Sequence, residues 1–535
     1  MRAIRIAAAA VLALVLTACS VYTVLYGGQL HKRKTDIMSE KEVSQAVNAN
    51  NCKLIELVTD TVKVSGGGAA VSGSTVTIRK PGTYRISGTL EDGQILVDVD
   101  EGAVALLLDG ASVSCSSGPA LHVLDSEKLV LYLTEGTSNF LTSGEETQIT
   151  AYSSDLYASG GALMFGDSAV IAGEGSLTVL GYVNNGIHCS NDLVIRDGNI
   201  RVEAVNTGIK GKDSLTVSGG RISVLSGGDG LGADGTDDGT GTVTVIAGTL
   251  DIVSYDDGIQ AESLIDLKGG EISIESRDDG LNSSGDITVD GASITADCRD
   301  DAVHADCGVL IASGKINVTS SNEGIEGRNI TVDGGTVSIV SFDDGFNCVS
   351  DSSKQMWGPY PQEISDDLPV LLINGGSIYI NAQGDGLDSN GNIVIGGGTL
   401  VIDGPSQNWN GSLDSGRERG GVITVNGGTL LAVGSTGMVE LPDSGSSQCT
   451  VSYAAAFKAG SVISITDSSG TVLAEHVCAR SGGNIIFSSG DLELNGAYVL
   501  HLDGSDYDIV MTDTVTAYGR TGMQGGPGPG GKRPS

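Results

Sequence analysis

From Asn184 onward, apolar and polar positions alternate in short runs, and one signature keeps returning. It reads Asn-Asn-Gly-Ile-His, Asn-Thr-Gly-Ile-Lys, Gly-Asp-Gly-Leu-Gly, Asp-Asp-Gly-Ile-Gln and Asp-Asp-Gly-Leu-Asn, then Asp-Asp-Ala-Val-His, Asn-Glu-Gly-Ile-Glu, Asp-Asp-Gly-Phe-Asn and Gly-Asp-Gly-Leu-Asp. The central residues are Gly186, Gly208, Gly230, Gly258, Gly280, Ala302, Gly324, Gly345 and Gly386, separated by 22, 22, 28, 22, 22, 22, 21 and 41 residues. A fixed period in this range marks a solenoid. The two long intervals hold insertions, Asp234 to Thr240 and Val349 to Pro369. Between signatures a Gly-Gly-x-Ile-x-Ile pattern recurs, as at Gly269-Gly270 and Gly375-Gly376, so each repeat predicts short period-two strands between glycine turns.

The residue after each central position is apolar in all nine repeats: Ile187, Ile209, Leu231, Ile259, Leu281, Val303, Ile325, Phe346 and Leu387. Two residues further on the side chains are small, from Cys189 and Gly211 to Cys348 and Ser389. Alternation along a strand puts both columns on one inner face, and stacking turns them into a continuous core. The column between them (His188, Lys210, Gln260, Asn282, His304, Glu326, Asn347 and Asp388) is polar and is expected to point outward, with His188 and His304 facing solvent. The fold this predicts is all-β: a parallel β-helix with about 22 residues per coil, right-handed by the crossover rule. Weaker strands are expected at Val76–Ile78, Ile95–Val99 and Leu129–Leu133, and a small C-terminal β cap from about Val451 to Leu502.

Composition agrees with this and removes other classes. Glycine is 80 of 535 residues and proline only 10, with no three-residue period, so collagen is excluded. With 66 acidic against 30 basic residues the net charge is −36, which argues against a nucleic-acid-binding surface. Arg2 and Arg5 precede an apolar run from Ile6 to Leu16 that ends in Leu16-Thr17-Ala18-Cys19. This reads as a lipoprotein signal peptide with Cys19 as the lipidated residue, and the alternative is an uncleaved signal anchor. Either places the chain on the outer face of a bacterial cell membrane. The expected organisation is a signal at 1–19, a tether at 20–60, the β-helix at 61–445, the cap at 446–510 and a Gly/Pro-rich disordered tail at 511–535. The eight remaining cysteines lack paired spacing and read as small buried thiols, although Cys298 and Cys307 are close enough in sequence for a disulfide.

The chemical signal is acidic. Stacked coils place equivalent residues about 4.8 Å apart, which aligns Asp256, Asp257, Asp278, Asp279, Asp300, Asp301, Asp343 and Asp344 along one edge. Like charges at that spacing repel, and Ca²⁺ relieves the repulsion by accepting several carboxylate oxygens. Asp and Asn before Gly also stabilise turns without any metal. Lys210, Lys212, Arg277 and Arg299 lie near the edge, either as charge balance or as the base of a Ca²⁺-dependent lyase. Both tryptophans fall in segments that interrupt the repeat: Trp357 with Tyr360, and Trp409 between Asn408 and Asn410. A flat ring with amide neighbours suits a sugar face, and equally anchors a loop by burial.

Three stretches resemble a known family: Gly82-Thr83-Tyr84-Arg85-Ile86-Ser87-Gly88-Thr89-Leu90, the segment Tyr182 to Lys212, and Gly384-Asp385-Gly386-Leu387-Asp388-Ser389-Asn390-Gly391 through Gly437-Met438. Taken in order they are similar to bacterial cell-surface carbohydrate-binding domain proteins with a pectate-lyase-like β-helix, over roughly residues 75–505. The resemblance implies non-catalytic binding of cellulosic or acidic, pectin-type glycans with bound Ca²⁺. A Ca²⁺-dependent polysaccharide lyase and a structural surface protein or adhesin without a glycan site remain as alternatives.

Overall fold

A computed structural model describes residues 37–47, 52–144, 160–349 and 368–519. Cys19, Trp357, Tyr360, the signal segment and the tail beyond 519 lie outside the described residues. Within them the chain is all-β, with one 40-stranded, mostly parallel sheet and one four-stranded antiparallel sheet. The single described α-helix, Glu40–Ala46, is capped reciprocally by Ser39 and Glu42, and its Val43, with Met38 just before it, is buried against Leu107, Val130 and Val170. Lys53–Thr59, inside the stretch expected as tether, pairs in parallel with Gly82–Leu90 as a strand of the main sheet.

The main sheet runs as three parallel ladders. In the first, the short strands of the signature pair in register as Ile187, Ile209, Leu231, Ile259, Leu281, Val303, Ile325, Phe346, Leu387 and Leu413. All ten side chains are buried, as expected for an inward apolar column. The small column beside it, including Cys189, Ala233, Ala261, Ser283, Ala305, Cys348 and Ser389, is buried as well. The second ladder follows each signature (Asp192–Ile195, Ser214–Val217, Thr242–Val245, Leu264–Leu267). The third follows the glycine pair (Asn199–Ala204, Arg221–Ser226, Thr249–Ser254, Glu271–Glu275). The second glycine of each pair, such as Gly270 (φ +91°) and Gly376 (φ +89°), turns the chain in the left-handed region that other residues resist.

The central glycine of the signature has a different reason. A Cβ on Gly258 would lie 2.5 Å from the carbonyl oxygen of Gly280 and 2.5 Å from Ile274 Cγ2, so close approach of successive turns excludes most side chains. Register also places the insertions. Ala233 pairs with Ala261 and Thr242 with Leu264, so the extra residues of 234–241 all emerge between the first and second ladders. Cys348 pairs with Ser389 and Val370 with Asn392, so the second insertion leaves at the same corner. The Trp409 segment differs. Asp403 ends a third-ladder strand and Leu413 opens a first-ladder strand, so Trp409 occupies the turn equivalent to the acidic signature.

Strands from Thr450 to Tyr518 switch largely to antiparallel pairing and close the end of the sheet through Gly482–Ser488, which pairs with Thr429–Gly434. The described cysteines form no disulfide, and Cys115, Cys189, Cys298, Cys348 and Cys478 are buried. Cys307 is exposed and Cys52 and Cys449 are half-buried, so the expectation of buried thiols fails at these three.

Candidate functional site

The first ladder and its acidic corner form one continuous face. Its outward column runs from His188 to Asp388 and continues to Asp414. On one side stand the acidic turns, and on the other the insertions emerge.

In three of the acidic turns the second Asp holds the next turn in place. The Asp279 N–H donates to Asp257 Oδ1 (3.1 Å), and the Asp301 N–H donates to Asp279 Oδ1 (2.9 Å). The Asp385 N–H donates likewise to Asp344 Oδ1. These carboxylates are therefore more than a solvated edge: Asp257, Asp279, Asp301, Asp344 and Asp385 are all buried. Burial, with neighbouring acidic charge added, pushes Asp257 up to about 7, Asp279 to about 8, Asp344 to about 7 and Asp385 to about 8. The same cause raises Asp388 to about 7 and Asp229 and Asp414 to about 6. Burial and the charge of Asp278 raise Asp256, while burial, then Asp301 and Asp278, raise Asp300. A desolvated carboxylate among like charges either keeps its proton or takes a cation in its place.

Three clusters bring ligand atoms within 4.8 Å of one another: Asp256 with Asp257 and Asp278; Asp278 with Asp279 and Asp300; and Asp301 with His304 and Glu326. All-oxygen sets suit a hard divalent cation. The geometry thus gathers six of the eight aspartates expected as ligands. Asp343 and Asp344 join no such cluster among the described residues, and Asp344 accepts the Asp385 N–H instead. His304 and Glu326 were not expected as ligands.

The two column histidines do not behave as simple solvent-facing groups. His188 is buried, with Nδ1 3.3 Å from Asn185 Nδ2. His304 Nδ1 faces Asp301 Oδ2 at 3.1 Å and Glu326 Oε1 at 3.4 Å. The Asp301 hydrogen bond, with the charges of Asp279 and Glu326 added, raises His304 to about 10 against the opposing effect of burial. An outward position in a strand exposes a side chain only if the neighbouring turn leaves room, and here the acidic corner covers it.

Two of the four basic residues near the edge, Lys210 and Arg277, have structural partners, while Lys212 and Arg299 are exposed. Lys210 Nζ bonds Asp234 Oδ2 at 2.5 Å, and the Arg277 guanidinium lies 4.1 Å from the Tyr255 ring centroid. Tyr255 and Phe342, each just before the acidic pair of its turn, are 55 % and 64 % exposed. Trp409 is 72 % exposed, which rules out anchoring by burial of its ring. Asn408 is exposed and Asn410 half-buried beside it. Three exposed aromatics therefore line the corner that carries the carboxylates.

A family model described as carbohydrate-binding domain-containing protein matches residues 72–324 and 306–504. The chain belongs to that family. One curated member, a carbohydrate-binding domain-containing protein of Acetivibrio thermocellus, is 37 % identical over 158 residues. That match covers 28 % of this chain and 53 % of the relative, so the chain spans about half the relative's length. A solved structure described as the polysaccharide lyase-like protein from C. thermocellum, a gadolinium derivative, is 32 % identical. It covers 45 % of this chain and 97 % of its own, with a TM-score of 0.42.

Proposed function

We propose that the protein is a non-catalytic polysaccharide-binding module of the bacterial cell surface, lipid-anchored through Cys19, with Ca²⁺ held along the acidic corner. The three ladders are then the faces of a right-handed β-helix with coils of about 22 residues. The observation that carries the reading is that Tyr255, Phe342 and Trp409 stand exposed on the same corner as the clustered aspartates. Aromatic faces supply stacking area for sugar rings, and Asn408 and Asn410 supply hydrogen bonds. Trp357 and Tyr360, in the insertion from Val349 to Pro369, are further rings of the stacking type. Acidic, pectin-type chains suit this site only through cations, because a net −36 surface repels polyuronates. Cellulosic chains need no such bridge.

The lyase reading requires an unengaged basic residue beside the carboxylates; the partners of Lys210 and Arg277 weigh against those two, and exposed Arg299, next to Asp300, is the base that reading would use. Co-sedimentation of the purified chain with insoluble polygalacturonate and with cellulose, in Ca²⁺ and in chelator, tests both readings. Depletion without a rise in ultraviolet absorbance is expected. Depletion with unsaturated product makes the protein a lyase. No depletion on either polymer in either buffer removes the glycan reading and leaves a structural surface protein.

A further inference from the structure

The acidic corner is not chemically uniform. Two of its clusters offer only oxygen, and the third offers an imidazole nitrogen. We infer that Asp301, His304 and Glu326 form a separate site for a borderline divalent cation of the Zn²⁺ class, which the oxygen-only clusters do not favour.

The distances fit such an ion. Bonds of about 2.0–2.2 Å in tetrahedral array set ligand atoms roughly 3.3–3.6 Å apart. His304 Nδ1 lies 3.1 Å from Asp301 Oδ2 and 3.4 Å from Glu326 Oε1. Two carboxylates, one from the acidic turn and one from the next strand of the ladder, thus converge on a single ring nitrogen. One N–H can serve only one of them well, whereas a cation in the proton's place serves all three groups.

The surroundings are those of metal ligands. The far ring nitrogen, His304 Nε2, faces Asp306 Oδ1 at 3.4 Å, the carboxylate–histidine arrangement that orients a ligating imidazole. Glu326 is held by its other oxygen: Asn347 Nδ2 donates to Glu326 Oε2 at 2.8 Å and to Glu323 Oε2 at 2.6 Å. Asn347 is 7 % exposed, and its Oδ1 is a buried acceptor with no hydrogen-bond partner. With Oε2 taken by that amide, Glu326 keeps Oε1 turned to His304 Nδ1. The convergence of two carboxylates on one nitrogen and the second carboxylate on the far nitrogen are together the arrangement a bound ion completes.

This inference does not rest on the glycan reading, because it is read with no glycan present. The full chain, stripped with chelator, is dialysed against Zn²⁺ in millimolar Ca²⁺ and its metal content counted. One Zn²⁺ retained per chain is expected. His304→Ala should lower Zn²⁺ affinity at least about tenfold, Asp306→Asn about tenfold through lost orientation, and Asp256→Asn not at all. No retained Zn²⁺, or undiminished retention by a folded His304→Ala chain, overturns the inference. Should that variant fail to fold, zinc-edge anomalous scattering from the unaltered chain decides. A peak within bonding distance of His304 Nδ1 supports the site, and peaks only elsewhere remove it.

Discussion

The backbone N–H of Asp301 donates to the side-chain Oδ1 of Asp279 one turn away, at 2.9 Å. One carboxylate therefore serves the architecture and the electrostatics together. As an acceptor it satisfies a buried N–H, and as a charge it sits where water is scarce and like charges are near. Substitutions can separate the two roles. Asp279→Ala removes the acceptor and should cost about 1–3 kcal/mol, the usual penalty for an unmet buried donor. Asp279→Asn keeps an oxygen at the same place and removes the charge. It should raise the melting temperature in chelator at pH 8 and weaken divalent-cation binding, read by thermal unfolding and calorimetry.

Stability without cations should fall as pH rises. Asp257, Asp279, Asp344, Asp385 and Asp388 have folded-state values near 7 to 8 against an ordinary 3.8. A raised carboxyl pKa favours the protonated form in the fold. Its contribution is complete below the unfolded value and is lost as pH climbs through the folded one. In chelator the melting temperature should therefore decline between about pH 4 and pH 8. Millimolar Ca²⁺ should reverse most of the decline at pH 8, because an ion that binds only the folded state adds its binding free energy to stability. A flat profile in chelator would show that these carboxyls are more hydrated than the fold indicates.

Close approach at the signature can be tested by adding one methyl group. On Gly258 it would meet the Gly280 carbonyl oxygen and Ile274 Cγ2, each at 2.5 Å. Neither partner is the free end of a flexible chain, so Gly258→Ala should cost about 1–3 kcal/mol by overpacking. A bulky Gly258→Val should prevent soluble expression. Denaturant midpoints of matched preparations measure the first effect.

The repeating columns made the ladders legible, because a fixed spacing translates directly into strand register. Ile187 through Leu387 could be aligned without any structure, and all stack as aligned. The next member, Leu413, escaped because Ser412 replaces the central glycine and the Trp409 segment lengthens the turn. His304 was legible as a column position but not as a partner. What covers an outward side chain is decided by the turn beside it, and a single-column reading carries no such information. Its relation to Asp301 and Glu326 follows once spacing within the signature and between coils is combined. Tyr255 and Phe342 carried the weaker signal of an aromatic in the position before the acidic pair, shared by only two turns.

Those two aromatics and Trp409 give the face a length that binding can report. Tyr255, Phe342 and Trp409 belong to turns of one corner, with Phe342 four rungs from Tyr255 and Trp409 two further. At about 4.8 Å per rung the first pair spans roughly 19 Å and the outer pair roughly 29 Å. A polysaccharide lying along the corner can touch all three, whereas a short oligosaccharide reaches one. Alanine at any single position should lower affinity for the polymer about fivefold, near 1 kcal/mol. The double variant Tyr255→Ala/Trp409→Ala should lose far more on the polymer than on a disaccharide, because losing the outer contacts removes the gain from simultaneous engagement. Affinity electrophoresis against soluble polysaccharide, with oligosaccharides of increasing length as competitors, measures this directly. Equal losses at every length would mean that the aromatics act singly, and that the glycan crosses the corner instead of following it.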